Sequence, residues 1–139
     1  MTYKNPKWLQ ILVYFGLLFI PVLAIGSLYF VIEGIRSNAL FPILFFSFGL
    51  IFFLYMEYLG LGLAKFLKAE IFLNEEGIKV IFGKIINEYS WGQVGKVKNS
   101  IRLQLYEVYD KNDRPIFIVD HMIPGFNELK GIVEEKINI

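Results

Sequence analysis

The sequence predicts an α+β membrane protein, in which a transmembrane α-helical hairpin precedes a small antiparallel β-sheet or barrel capped by a C-terminal helix. Three observations predict this fold. Two long apolar runs fill the first half of the chain, short alternating runs begin after residue 68, and an amphipathic pattern closes the sequence. Of the 139 residues, 55% are hydrophobic and only 19% are charged, so part of the chain requires a solvent other than water.

Charged side chains are distributed unevenly along the chain. Residues 1–68 contain seven of them, and the other twenty follow. We therefore predict a transmembrane hairpin over residues 1–68 and a cytoplasmic domain over residues 69–139. The net charge of +1 gives no basic footprint for nucleic acid. The absence of cysteine excludes disulfides, zinc–thiolate sites and thiol nucleophiles.

The two apolar runs predict helices over about residues 8–32 and 39–64. Each helix of about 25 residues would be roughly 37 Å long, which is enough to cross a hydrocarbon layer of about 30 Å. An alternative is that the first run is a signal peptide cleaved near Ala24-Ile25-Gly26. The apolar run continues past that point to Ile32, which favours a retained membrane helix.

The basic residues beside the helix ends predict the orientation of the hairpin. Lys4 and Lys7 precede the first helix and Lys65 and Lys68 follow the second, whereas the turn between them contains only Arg36. Because cytoplasmic flanks carry the excess of lysine and arginine, both termini are expected in the cytoplasm. The predicted location is therefore the inner (cytoplasmic) membrane, as a multi-pass protein.

Glu57 is the one ionisable residue inside an apolar run. A carboxylate in hydrocarbon is costly unless it has a partner or water, so Glu57 is a candidate functional residue, with Tyr14 and Gln10 at a similar level of the first helix. Two interpretations remain open. Glu57 either takes part in an ion or proton path, or it accepts a hydrogen bond from a tyrosine or reaches water near the membrane surface.

After residue 68 the period of the apolar residues changes from helical to alternating. The pattern predicts strands over residues 70–74, 77–82, 84–91, 101–109 and 115–119, with Lys96 and Lys98 in a short extended stretch between the third and the fourth. Apolar residues then recur every three or four positions, which predicts a closing helix over 126–137.

The second half resembles the bacterial PH-like domains of the YcxB-like group, which often follow a pair of membrane helices. The resemblance rests on a strand that ends in Ser90-Trp91, on Val94 and Val97 after it, and on a hairpin before a closing helix that contains Phe126-Asn127-Glu128-Leu129. It implies a PH-like domain with an interaction role. Phosphoinositide binding is not expected, because the first turn, Asn74-Glu75-Glu76-Gly77, is acidic and would repel a phosphate.

Two groups of residues are candidates for surface contacts. Trp91 is either a core residue or an exposed anchor for a partner. His121 is the only histidine, so no metal site, cofactor site or paired catalytic base is predicted. A basic group is expected either to rest on anionic lipid headgroups or to form an ordinary solvated face, and it comprises Lys65, Lys68, Lys84, Lys96, Lys98 and Arg102.

The leading functional hypothesis is a non-catalytic, membrane-tethered interaction or scaffold module, an accessory or regulatory subunit of a membrane-associated assembly. Its expected partners are the lipid bilayer and either another protein or a second copy of the chain. Two alternatives are a small oligomeric transporter or channel subunit that uses Glu57, and a membrane immunity protein that acts against a toxin.

Overall fold

The computed structural model describes residues 1–138 and confirms the α+β class. Two long helices, α1 (Lys7–Arg36) and α2 (Leu40–Ala64), are followed by two antiparallel sheets and a C-terminal helix, α3 (Phe126–Lys136). The first sheet has four strands in the order β1 (Thr2–Lys4), β2 (Glu70–Leu73), β3 (Gly77–Phe82) and β4 (Ile85–Ser90), and the second has three, β5 (Val94–Ser100), β6 (Leu105–Asp110) and β7 (Pro115–Asp120).

The chain divides into two compact units that differ from a simple cut at residue 68. One unit contains Ile11–Ala64, and the other combines Met1–Gln10 with residues 65–138. The N-terminal segment belongs to the second unit because β1 pairs with β2, with Tyr3 opposite Ile71. The helical hairpin is therefore inserted between the first and second strands of the sheet unit.

The hairpin unit consists of two helices that are long and apolar enough to cross a membrane. Helix α1 has 30 residues and α2 has 25, and α1 extends beyond the predicted end because Glu33 and Arg36 continue the helical turns. Only Ser37, Asn38 and Ala39 separate the two helices. Asn38 has a φ of 52°, a left-handed conformation that asparagine tolerates and that ends the helix.

Small residues allow the two helices of the hairpin to approach each other closely. A Cβ at Gly60 would lie 2.9 Å from Cδ2 of Leu17, and one at Gly49 would lie 3.7 Å from Oγ of Ser27. The rings of Phe30 and Phe46 stack with centroids 4.7 Å apart. Contacts of this kind are typical of helix pairs that associate by packing in an apolar solvent.

The sheet unit has a core between its two sheets and α3. Helix α3 contributes Leu129 and Val133 to this core, and both are fully buried. Four consecutive residues of β7 are buried, which means that both faces of that strand are covered. The fully buried residues of the unit also include Leu67, Ile71, Ile78, Val80, Tyr106 and Val108.

The strand predicted over residues 101–109 is wrong in its first half. Residues 101–104 form a turn in which the Gln104 amide donates to the Ile101 carbonyl at 3.3 Å, and β6 begins only at Leu105. Gln104 has a φ of 53°, which an extended strand does not allow. Ile101, which the alternating pattern assigned to the core face, is 79% exposed.

Candidate functional site

The chain enters α1 and leaves α2 at one end of the four-stranded sheet. Lys4, Glu70, Ile81 and Ile86 are paired in a single row across its four strands. Helix α1 begins three residues after Lys4, and β2 begins six residues after the end of α2. We call these ends of the strands, together with the β3–β4 turn, the hairpin end of the sheet. The opposite ends of the strands, together with the β2–β3 turn and Trp91, are the far end.

Asn5 joins the two chain segments at the hairpin end. Its side-chain Nδ2 donates to the main-chain carbonyl oxygens of Phe66 and Leu67, each at 3.4 Å. The main-chain carbonyl of Asn5 accepts a hydrogen bond from Nε2 of Gln10 at 3.0 Å. Asn5 is one of only two buried polar residues among residues 1–138. Its side-chain amide thus links the segment before α1 to the segment after α2, and its Oδ1 atom is buried with no hydrogen-bond partner among residues 1–138.

Packing reinforces this junction. Leu9, in the first turn of α1, and Phe66 and Leu67, just after α2, are all buried. The Phe66 ring lies 5.4 Å from the Phe82 ring at the end of β3. Sequence reasoning missed the junction, although an Asn-Pro pair directly before an apolar run is a recognisable helix-start signal.

The predicted group of polar residues in the hairpin divides between the two units. Gln10 belongs to the sheet unit and donates its hydrogen bond to Asn5. Glu57 and Tyr14 belong to the hairpin unit. The Oε2 atom of Glu57 is buried and has no hydrogen-bond partner among the described residues. Glu57 does not line the cavity of about 540 Å³ in the hairpin, whose wall is phenylalanine, valine, leucine and glycine around Ser27.

The predicted basic group does not form one surface patch of unpaired charges. Lys96 pairs with Asp113 at 2.7 Å and Lys98 with Glu107 at 3.7 Å, both beside the three-stranded sheet. Such exposed pairs contribute at most about 1 kcal/mol each, yet they balance the charge of the lysines. Lys65 and Lys68 follow α2, Lys84 occupies the β3–β4 turn, and Arg102 is exposed in the β5–β6 turn.

Trp91 is not a core residue. It is half-buried, and its Nε1 donates to the carbonyl of Asn74 in the β2–β3 turn at 3.0 Å. Ser90 before it donates its amide to Oε1 of Gln93 at 2.8 Å, which holds the short 3₁₀ turn Trp91–Gln93. The indole is thus fixed in orientation with part of its surface open to solvent, at the far end of the sheet.

Two polar depressions lie at the far end of the sheet, and Trp91 lines neither of them. One, of about 310 Å³, lies between Tyr89, Gln93 and residues 110–112 of the β6–β7 turn, and the other, of about 290 Å³, lies along Asn74 to Lys79 and Glu88 to Ser90. A fixed aromatic side chain that is partly exposed is a group that protein interfaces commonly use as an anchor.

The other residues considered for catalysis or metal binding contact neighbouring side chains. The Nε2 atom of His121 lies 2.9 Å from Oδ1 of Asn99, and the imidazole stacks on Phe126 with a centroid distance of 4.3 Å. No group of three or more histidine, aspartate or glutamate residues that could hold a metal ion occurs within residues 1–138. Burial and then the nearby Glu128 raise the pKa of Tyr3, so this phenol stays neutral.

Comparisons with known proteins give no match. No protein-family model matches the chain, and no curated protein and no solved structure is significantly similar to it.

Proposed function

We propose that this protein is a membrane-anchored, non-catalytic interaction module, in which the helical hairpin spans the cytoplasmic membrane and the sheet unit binds a protein partner. The pairing of β1 with β2 carries the proposal. Because of this pairing the sheet unit is connected to the hairpin at both ends and rooted by Asn5. A domain attached in this way is restricted in its orientation, which is useful for a scaffold that presents a partner at a membrane surface.

The pairing of β1 with β2 also supports the proposed topology. Two membrane spans separate these strands, and paired strands must lie on the same side of the bilayer. The N-terminus and the sheet unit would therefore share one side without any argument from charge. The excess of lysine at this side, Lys4, Lys7, Lys65 and Lys68 against Arg36 alone in the helix–helix turn, makes it the cytoplasm.

The proposed fold of the sheet unit is PH-like. Two small antiparallel sheets and a closing helix support this proposal. Of the residues that carry the resemblance, Trp91 begins the short turn between the two sheets and Val94 begins β5. In this interpretation the hairpin itself connects the first two strands. The acidic turn Asn74-Glu75-Glu76-Gly77, which the sequence pattern makes the first turn, then joins the second and third strands, and the two helices form the first connection.

The proposed partner surface is the far end around Trp91. An affinity-tagged full-length protein, purified from native membranes under mild conditions, is expected to co-purify with one protein in a fixed ratio. Trp91→Ala should lose this partner, because it removes the aromatic anchor. Trp91→Phe keeps an aromatic ring but loses the second ring and the hydrogen bond to Asn74, so it should retain more of the binding than Trp91→Ala does.

The control is Gly131→Ala, at an exposed position of α3 with no neighbour within 4 Å, which should bind as the wild type does. A protein that purifies alone in every mild detergent would contradict the proposal. If Trp91→Ala unfolds at the same temperature as the wild type and recovers an equal amount of the partner, the binding surface does not include Trp91.

A transporter or channel subunit is the second candidate, because the Oε2 atom of Glu57 is buried and has no hydrogen-bond partner within residues 1–138. Such groups in apolar segments often mark ion or proton paths. The transporter hypothesis predicts that Glu57→Gln changes ion flux in proteoliposomes. The interaction-module hypothesis predicts no ion flux for the wild type or for Glu57→Gln.

A further inference from the structure

Two consecutive isoleucines are exposed at the tip of the β3–β4 hairpin. Ile85 is 64% exposed and Ile86 is 54% exposed, although isoleucine is among the residues most often buried. They follow Gly83, which has a φ of 60° and makes the tight turn, and Lys84, which is exposed. Within residues 1–138 no acidic side chain forms an ion pair with Lys84.

The strand register places this turn at the hairpin end of the sheet. Ile86 stands in the same row as Lys4 and Glu70, and Ile85, opposite Phe82, lies one residue beyond that row. Since neighbouring strands lie about 4.8 Å apart, Ile86 is on the order of 10 Å from β2 and 14 Å from β1. The contact between the Phe66 and Phe82 rings ties the base of this turn to the segment that leaves α2.

The connections between the sheet and the two helices are short. Only Asn5 and Pro6 lie between β1 and α1, and residues 65–69 lie between α2 and β2. Several of these linker residues are buried in the sheet unit, so the linkers are not free to extend. If α1 and α2 cross a bilayer, these linkers meet its surface, and they lie at the same end of the strands as the β3–β4 turn.

We propose that the β3–β4 turn, residues 83–86, inserts into the interfacial layer of the bilayer that the hairpin spans. Ile85 and Ile86 enter the boundary between headgroups and acyl chains, and the Lys84 ammonium binds anionic headgroups. This inference rests on the proposed membrane crossing. Its ligand is the lipid surface itself, because an apolar pair beside an unpaired cation, at the edge where the chain meets the membrane, matches the layered chemistry of that surface.

The first turn of α1 has the same chemistry. Trp8 is 54% exposed and follows an exposed Lys7, and tryptophan and lysine favour the membrane–water interface. The lipid contact at residues 83–86 thus adds a third attachment to the two chain connections.

Depth measurements with single spin labels test this proposal directly, because the natural chain has no cysteine. Full-length Ile85→Cys and Ile86→Cys, labelled and reconstituted in nanodiscs that contain anionic lipid, are compared for collision with oxygen and with a water-soluble nickel chelate. Glu76→Cys, in the exposed β2–β3 turn at the far end, is the aqueous control. Ile51→Cys, on an exposed surface of α2, reports the crossing itself.

We expect the oxygen-to-nickel collision ratio at positions 85 and 86 to be several-fold higher than at 76 and lower than at 51. Equal ratios at 85, 86 and 76, with a high ratio at 51, would overturn the lipid contact and leave the membrane anchor intact. A low ratio at 51 would instead refute the membrane crossing. If neither oxygen nor the nickel chelate collides with labels at 85 and 86, these residues are buried against protein, and the lipid contact is refuted.

The role of Lys84 is tested by Lys84→Glu in the Ile86→Cys background. In anionic nanodiscs the substitution should lower the collision ratio at 86 toward the aqueous value and leave the ratio at 51 unchanged. An unchanged ratio at 86 would overturn the headgroup contact of Lys84. In nanodiscs of zwitterionic lipid alone, the difference between the labelled chains with and without Lys84→Glu should shrink, since the electrostatic attraction is then weak.

Discussion

At the scale of single residues, Tyr106 combines complete burial with an unsatisfied hydroxyl. Its side chain is fully buried in the core of the sheet unit, and its hydroxyl has no hydrogen-bond partner among residues 1–138. Burial, and then the negative charge of Glu134, raise the pKa of Tyr106 far above its usual range. The phenol is therefore a neutral core side chain that carries one costly polar atom.

Replacing Tyr106 with phenylalanine should stabilise the protein by about 1 kcal/mol, since it removes a buried hydroxyl without changing the ring packing. The raised pKa also predicts the pH dependence. Below the unfolded-state pKa of about 10 the tyrosine is neutral in both states, so its ionisation does not affect the free energy of unfolding. As the pH rises above that value, the unfolded tyrosine ionises while the folded one stays neutral, and the free energy of unfolding falls. The advantage of Tyr106→Phe should thus stay nearly constant up to about pH 9 and grow as the pH rises above about 10.

Chemical unfolding in detergent, followed by circular dichroism, measures both effects. Tyr89→Phe is the matched control, because it removes a hydroxyl from a half-buried tyrosine and should show a smaller change in stability. A loss of stability in Tyr106→Phe at neutral pH would mean that the hydroxyl has a partner in solution.

At the scale of elements, the same substitution should have opposite effects in a strand and in a helix. A Cβ at Gly77, in β3, would lie 1.9 Å from the carbonyl oxygen of Tyr89 in β4, whereas one at Gly131, in α3, meets nothing within 4 Å. Gly77→Ala should therefore destabilise the sheet unit by about 3 kcal/mol through a backbone clash. Gly131→Ala should stabilise it by about 1 kcal/mol, because alanine restricts the unfolded chain and favours the helix.

Thermal unfolding of the two variants and the wild type in one detergent provides the comparison. A neutral Gly77→Ala would indicate that β3 and β4 can separate without cost at the far end of the sheet, where Gly77 pairs with Ser90.

Elements in which apolar residues recur at a regular spacing were predictable from the sequence. Elements that exist only because they pair with a distant segment of the chain were not. The two helices, the turn after Leu73 and the closing helix follow from the apolar period and from turn residues such as Asn74 and Gly77. Strand β1 has only three residues, Thr2–Lys4, too few for any period. It exists because β2, more than sixty residues later in the chain, offers it a free edge.

The candidate sites show the same division. Glu57 and Trp91 stand out in the sequence because their residue types are unusual in their surroundings. The Asn5 junction and the exposed pair Ile85 and Ile86 do not, since an isoleucine in a β-rich run normally indicates a buried face. Only the strand register shows that these two residues lie at the end of the sheet where the chain passes into the helices.

At the scale of the whole molecule, the insertion of the hairpin makes the sheet unit a domain of two chain segments. Residues 69–139 alone, the domain that the sequence pattern suggested, would lack β1 and the buried side chains of Tyr3, Leu9, Phe66 and Leu67. Full burial of a large apolar side chain contributes roughly 1.5–3 kcal/mol, and a domain has a net stability of only about 5–15 kcal/mol. The loss of four such side chains is therefore comparable with the whole stability of the domain.

A pair of designed chains tests this. Residues 1–10 joined to 65–139 through a short Gly/Ser linker should give a soluble protein that unfolds cooperatively and has dispersed amide resonances, because the linker replaces only Ile11–Ala64. The contact between Asn5 and Phe66 shows that the two segments come within hydrogen-bond distance, so a short linker suffices. Residues 69–139 alone should aggregate or lack a cooperative transition. If this fragment instead folds as stably as the joined chain, then β1 is a dispensable addition to the sheet, and the hairpin is attached to the domain through α2 alone.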